Sequence, residues 1–123
     1  MGRMTRFDIA ADDTERAIKF YEGVFGWEIM PAGGLLEYWL VRTGADEEPG
    51  INGVLSLREA AWQRITCFVE VESLAETLTE VTAKGGGIVQ PKNVIPGVGY
   101  IAACKDTEDN VIGIMERSQI AGF

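Results

Sequence analysis

The 123-residue chain contains no histidine. That absence excludes Ser-His and Cys-His nucleophile systems and the usual histidine-based ligand sets for zinc, iron and nickel. A carboxylate-only site for magnesium, calcium or manganese stays formally open. Cysteine is scarce: Cys67 and Cys104 each sit inside an apolar run, and no Cys-x-x-Cys spacing occurs. A zinc ribbon or dithiol redox centre therefore has no basis, and both thiols are expected to be free, acting as small hydrophobes in a reducing compartment. Long apolar runs are also missing. Nothing approaches the roughly 18 residues of a membrane-spanning helix. The N-terminus reaches its first apolar pair only at Phe7 and Ile9, without the apolar core of a secretory signal. A cytoplasmic location is the expectation. Positive charge is in deficit, with 11 Lys and Arg against 19 Asp and Glu and a formal charge of -8. A nucleic-acid surface needs the opposite sign, because its affinity comes from neutralising phosphates. Neither nucleic acid nor membrane is expected as a partner. The acidic surplus reads as ordinary solubility charge, with a weak pull on cationic small molecules.

What is present suits one domain with a sizeable core: 46% of residues are hydrophobic and 24% charged. Thr5 to Ala11 alternates, with Phe7, Ile9 and Ala11 on one face and Arg6, Asp8 and Ala10 on the other, the pattern of a strand. Asp12-Asp13 offers an N-cap, Thr14 to Phe25 places Ala17, Ile18, Tyr21, Val24 and Phe25 on one helical stripe, and Gly26 suits the helix end. Three strands follow: Trp27 to Met30 ending at Pro31, Glu37 to Thr43 after a Gly33-Gly34 turn, and Gly53 to Leu57 after an acidic turn. The pattern then restarts. Ile65 to Val71 is a strand, and Ser73-Leu74-Ala75-Glu76 is a capping box. The helix after it carries Leu74, Leu78 and Val81 and stops at Gly85-Gly86-Gly87. Ile88-Val89, Gly99 to Cys104 and Val111 to Glu116 supply the last strands, and the tail from Arg117 to Phe123 is expected to fray.

The order is strand, helix, three strands, twice over, at an offset of about 60 residues. This offset aligns Ile9 with Val69, Asp13 with Ser73, Ile18 with Leu78, Gly26 with Gly86 and Gly53 with Gly113. The expected fold is α+β: two βαβββ modules, about 5–57 and 65–116, related by pseudo-twofold symmetry in a cupped mixed sheet within a single domain.

The stretch Phe7-Asp8-Ile9-Ala10-Ala11-Asp12-Asp13-Thr14-Glu15-Arg16-Ala17-Ile18-Lys19-Phe20-Tyr21, running on to Phe25-Gly26-Trp27, resembles the opening of the vicinal oxygen chelate superfamily. That group includes glyoxalase I, bleomycin-resistance proteins and extradiol dioxygenases. Pro49-Gly50-Ile51-Asn52-Gly53, Pro96-Gly97-Val98-Gly99-Tyr100 and Asp106-Thr107-Glu108-Asp109-Asn110 resemble its later turns. In that superfamily four strand positions supply metal ligands, and the resemblance puts them at Arg6, Gly53, Thr66 and Gly113. None is a metal-ligating side chain, so the expectation is no metal and no other cofactor. Glu116 lies three residues past the last of these positions, on the opposite strand parity, and is not taken as a ligand.

Strand parity sends Arg6, Asp8, Thr66, Phe68 and Glu70 to the face turned away from the helices, which the resemblance makes the binding surface. Trp39, Val41, Ile101 and Ala103 are placed under the helices, which turns Tyr38, Leu40, Arg42, Tyr100 and Cys104 to the groove; Trp39 could equally be the groove aromatic. Gly53 and Gly113 would leave open room there. The candidate ligand-binding set is Arg6, Asp8, Tyr38, Arg42, Thr66, Phe68, Glu70 and Tyr100, with catalytic residues unassigned. A salt bridge among Arg6, Asp8 and Glu70 competes with a ligand-anchoring role, and a structural hydrogen bond competes for the tyrosines. Gly97 and Gly99 do not open a helix and form no dinucleotide fingerprint. Three functions stay open: a metal-free protein sequestering an amphipathic or cationic small molecule; a lyase- or isomerase-like enzyme using Asp8 or Glu70 as general base, with Arg6 stabilising an oxyanion; and a dimerising accessory domain. A homodimer is expected, because sheet edges and apolar surface need cover.

Overall fold

The structure, a computed structural model, describes residues 2–118. The elements run β1 (Arg3–Ala11), α1 (Thr14–Phe25), β2 (Glu28–Pro31), β3 (Trp39–Arg42), β4 (Asn52–Leu57), β5 (Ile65–Glu70), α2 (Leu74–Ala83), β6 (Gly87–Ile95), β7 (Gly99–Lys105) and β8 (Val111–Arg117). The order is βαβββ twice, an α+β chain. Arg117 ends β8, and residues 119–123 of the expected tail lie outside the described residues. The chain divides into an N-terminal unit, Arg6–Thr66, and a C-terminal unit, Cys67 onward with the residues up to Thr5.

In the N-terminal unit the strands lie in the order β2-β3-β4-β1, with β1 and β4 parallel and the other neighbours antiparallel. The C-terminal unit repeats this as β6-β7-β8-β5, with β5 and β8 parallel. Both edge strands carry features that discourage further pairing. β2 has four residues and ends at Pro31, while β6 contains Pro91 and two register shifts.

Local chemistry sets the helix ends. Asp13 Oδ1 accepts from the Arg16 N–H at 3.0 Å, and α1 stops where Gly26 turns to φ 70°. At α2, Ser73 Oγ accepts from the Glu76 N–H, and Glu116 Oε1 accepts from the Leu74 N–H at 2.8 Å. Glu116 thus serves the cap of α2.

Under α1, Phe7, Ile9 and Ala11 of β1 join Val41 and Leu55, with Ala17, Ile18, Tyr21, Trp27, Ile29 and Trp39 around them. Trp39 therefore packs on the helix side. Val24 and Phe25, expected on the buried stripe, are 57% and 58% exposed. The reason is that Tyr21 and Trp27 lie flat on each other at 5.2 Å and close the core, so Phe25 stacks outside them. Under α2 the cluster is Leu74, Ala102, Cys104 and Ile114, with Val69, Val71, Leu78, Val81, Tyr100 and Ile112 packed on it. This reverses the expected phase of β7. Tyr100 and Cys104 face the helix, and Ile101 and Ala103 face away from it.

The two glycines also differ from expectation. A Cβ at Gly53 would fall on the Phe7 carbonyl oxygen and within 2.8 Å of its ring, and one at Gly113 within 2.5 Å of the Phe68 ring. Both glycines make room for a phenylalanine, not for a groove. They are not equivalent, either. Phe7 pairs with Gly53 on the α1 side, whereas Phe68 pairs with Gly113 on the side away from α2.

Candidate functional site

On the sheet face of the N-terminal unit opposite α1, alternation along β1 presents Arg6 and Asp8. They form a side-on ion pair: Arg6 Nε lies 3.1 Å from Asp8 Oδ1, and Nη2 donates to Oδ2 at 3.2 Å. The pair is largely withdrawn from water, with side chains 17% and 25% exposed. Burial pushes the Asp8 carboxyl above the usual aspartate range, and the guanidinium beside it offsets this only in part. The registers extend the face outward. Asp8 lies beside Val54, Val54 beside Leu40, and Leu40 beside Met30, a row across four strands. Arg42 shares the face with Leu40. Its Nε donates to the Gly44 carbonyl at 3.2 Å, and Nη2 is 3.3 Å from Asp46. A shallow indentation of about 230 Å³ lies beside it, lined by Gly26, Glu28, Arg42, Thr43, Gly44 and Ala45.

The remaining candidates are placed as follows. Tyr38 precedes β3 and is half-buried, its carbonyl accepting from the Ala32 N–H. Thr66 is buried, on the same side of β5 as Phe68. Glu70 Oε1 accepts from Thr5 Oγ1 at 3.1 Å and from Arg117 Nε at 2.9 Å. Its carboxylate is thus held by Thr5 and Arg117, which differs from the expected triple with Arg6 and Asp8. Tyr100 leaves the set, since it packs on the α2 side, with Lys92 Nζ 4.1 Å from its ring centroid. Val54 and Met30 were not singled out from sequence. Their membership follows from strand pairing, which nothing local in the sequence encodes.

Comparison with known proteins decides the family. The model of the Glyoxalase/Bleomycin resistance protein/Dioxygenase superfamily matches residues 3–114. The chain belongs to this superfamily. A glyoxylase-like domain-containing protein from Didymella fabae is 32% identical over 123 residues, covering 94% of each chain. Among solved structures, a hypothetical protein from Bacillus halodurans C-125 matches with a TM-score of 0.69 at 13% identity, covering 99% of both chains. Methylmalonyl-CoA epimerase from Mycobacterium tuberculosis matches with a TM-score of 0.65 at 13% identity, over 94% of this chain and 87% of that one. At such identities the structural matches speak for the fold alone.

The superfamily's metal can be tested against these residues. Register moves one expected ligand position: Gly53 faces α1, and the β4 residue beside Asp8 is Val54. The correction leaves the chemistry as it was. Arg6, Val54, Thr66 and Gly113 supply a permanent cation, an alkyl group, a hydroxyl and a hydrogen. Among the described residues no group of three or more His, Cys, Asp or Glu could hold a metal ion. The residues at these positions do not fit a divalent cation.

Proposed function

We propose that this chain is a metal-free small-molecule-binding member of the superfamily, of the sequestering bleomycin-resistance type, and that it takes its ligand on the sheet face opposite the helices. The observation that carries the reading is the Arg6–Asp8 pair. A guanidinium, which cannot ligate a metal, stands at one of the superfamily's ligand positions, and its carboxylate partner lies beside it on the same face. Partial burial makes their ion pair and its hydrogen bond worth more than those of a surface pair. The proposed assembly is a homodimer in the cytoplasm. The exposed Phe20, Val24 and Phe25 of α1 support a covered surface better than the guarded sheet edges do. Among the described residues no helix is long and apolar enough to cross a membrane.

Native mass spectrometry of freshly purified protein tests the reading. The expected result is a dimer carrying a co-purified organic molecule that is lost in Asp8→Ala. A ligand-free dimer that takes up no compound from a small-molecule library would overturn it in favour of an accessory dimerisation domain. A second reading, an enzyme with Asp8 as general base, is favoured by one observation: burial holds this carboxyl above its usual range, nearer the operating pH of a base. Turnover of a bound compound that disappears in Asp8→Asn would establish it.

A further inference from the structure

The two helices hold equivalent places in the repeat, yet only one has a polar outer face. The exposed positions of α2 are Ala75, Glu76, Thr79, Glu80, Thr82 and Ala83, all small or polar. α1 instead exposes Phe20 and Val24, each more than half open to water. At about 3.6 residues per turn, Arg16, Phe20, Gly23 and Val24 fall within roughly 100° of arc and form one seam along the helix. Phe25 lies on the other flank, stacked on Tyr21 and Trp27, and is outside this seam. Gly23 is the second observation. A glycine weakens a helix relative to alanine, and apart from α1 itself no described residue lies within 4 Å of where its Cβ would stand. Nothing inside the unit requires a glycine there, whereas a second backbone lying close along the seam does.

The charges point to what lies there. The chain carries -8 overall, so two copies repel each other unless they meet where charge is locally balanced. α2 carries Glu76 and Glu80 with no cation, whereas α1 sets Arg16 and Lys19 against Glu15 and Glu22. Lys19 pairs with Glu15 at 3.4 Å, which leaves Arg16 and Glu22 without an ion-pair partner among the described residues. At the C-terminal end of α1 the carbonyls of Gly23, Val24 and Phe25 have no partner within the helix, and the last turn holds no basic residue. A free cation near one end and an unanswered negative end at the other complement each other when two copies of α1 run antiparallel. A single twofold axis then sets Phe20 opposite Val24, brings Gly23 close to the axis and carries Arg16 to the C-terminal end of the neighbouring helix, twice over.

We infer that α1 is the self-association surface, and that a second copy of this chain docks antiparallel on the seam of Arg16, Phe20, Gly23 and Val24. The inference rests on the homodimer proposed above and names its interface. Two exposed apolar side chains per copy make a contact well short of the roughly 1,600 Å² of a standard interface, so the dimer is reversible, with a dissociation constant on the order of 10 μM.

Sedimentation velocity of the full chain from about 1 to about 500 μM reads it. The wild type is expected to pass from monomer to dimer and no further, because a twofold contact closes on itself. Phe20→Glu and Val24→Glu should each weaken dimerisation about tenfold or more, and Arg16→Glu about fivefold. Thr79→Glu, which adds a negative charge to the outer face of α2, should leave it unchanged. Far-UV circular dichroism of each variant should match the wild type, since all four side chains lie on exposed helix surface. A dimer that keeps wild-type affinity in both Phe20→Glu and Val24→Glu, or a species larger than a dimer, would overturn the seam and leave self-association to another surface. A wild type that stays monomeric at every concentration would overturn the seam and the homodimer together, but not the binding face.

Discussion

The two βαβββ units share element order and strand order, yet they use one face differently. In the N-terminal unit the row opposite the helix reads Asp8, Val54, Leu40, Met30. In the C-terminal unit the corresponding row reads Phe68, Gly113, Ala103, Gln90. Phe68 is 5% exposed and Ala103 2%, whereas Leu40 and Met30 are about half exposed. One unit fills this face with a ring packed over a glycine. The other moves its Phe–Gly pair to the helix side, as Phe7 over Gly53, and leaves an ion pair and an open apolar strip. A repeated architecture can therefore fill this face in one unit and leave it open in the other by shifting a phenylalanine one residue along a strand.

The largest effect should come from cutting each row at its β1 or β5 end. Phe68→Ala removes a buried ring over a residue that cannot fill the gap, and is expected to cost about 3–5 kcal/mol in urea unfolding. Asp8→Ala leaves Arg6 partly buried without its carboxylate and should cost about 1–3 kcal/mol. Equal losses would mean that the Asp8 row is packing as well, and the contrast between the units would fail.

The glycines sharpen the same contrast. A methyl at Gly53 meets the Phe7 backbone as well as its ring, and backbone in a parallel ladder cannot step aside. Gly53→Ala is expected to cost about 3 kcal/mol. At Gly113 the nearest atoms all belong to the Phe68 side chain. Gly113→Ala should cost about 1–2 kcal/mol, and adding Phe68→Leu should recover part of it. Adding Phe7→Leu to Gly53→Ala should recover little. Melting curves of the four variants decide the matter.

These pairs also show where the sequence was legible. The bounds of α1 were readable because its caps, Asp13 and Gly26, act within one turn. The repeat and the Arg6–Asp8 face followed from alternation along strands with one polar face, whereas Trp39-Leu40-Val41 is apolar on both parities and left the side of Trp39 open. β7 resisted the same logic. Gly99 to Cys104 is apolar throughout, buried on both faces, so a period of two carries no phase, and Tyr100 was placed on the wrong side. The alignment of Gly53 with Gly113 failed for a related reason. A glycine marks a close approach but not the direction from which it comes, and only the register shows that Phe7 lies on the α1 side of its unit and Phe68 on the side away from α2 in its own. Val54 and Met30 joined the site through pairing between distant strands, which has no local signal.

The smallest expected effect separates two carboxylates by the sign of their response to acid. Asp8 is held above its ordinary value of 3.8 by burial, so the native state binds its proton more tightly than the unfolded chain does. Its ionisation therefore costs stability at neutral pH, and that cost is relieved as pH falls through the raised value toward 3.8. Asp106 is the reverse case. The Asn110 side chain and the Asn110 and Glu108 N–H groups donate to its carboxylate at 3.0, 2.9 and 2.8 Å, and they hold its pKa below 3.8. Its contribution is present above that value and is lost as pH falls through the lowered one. Urea unfolding of the wild type, Asp8→Asn and Asp106→Asn between about pH 3 and pH 7 reads both. The wild-type stability minus that of Asp8→Asn should rise on acidification. The same difference for Asp106→Asn should stay flat down to about the ordinary aspartate range and fall below it. If the Asp8 difference falls instead, Arg6 outweighs burial and holds a full carboxylate on this face.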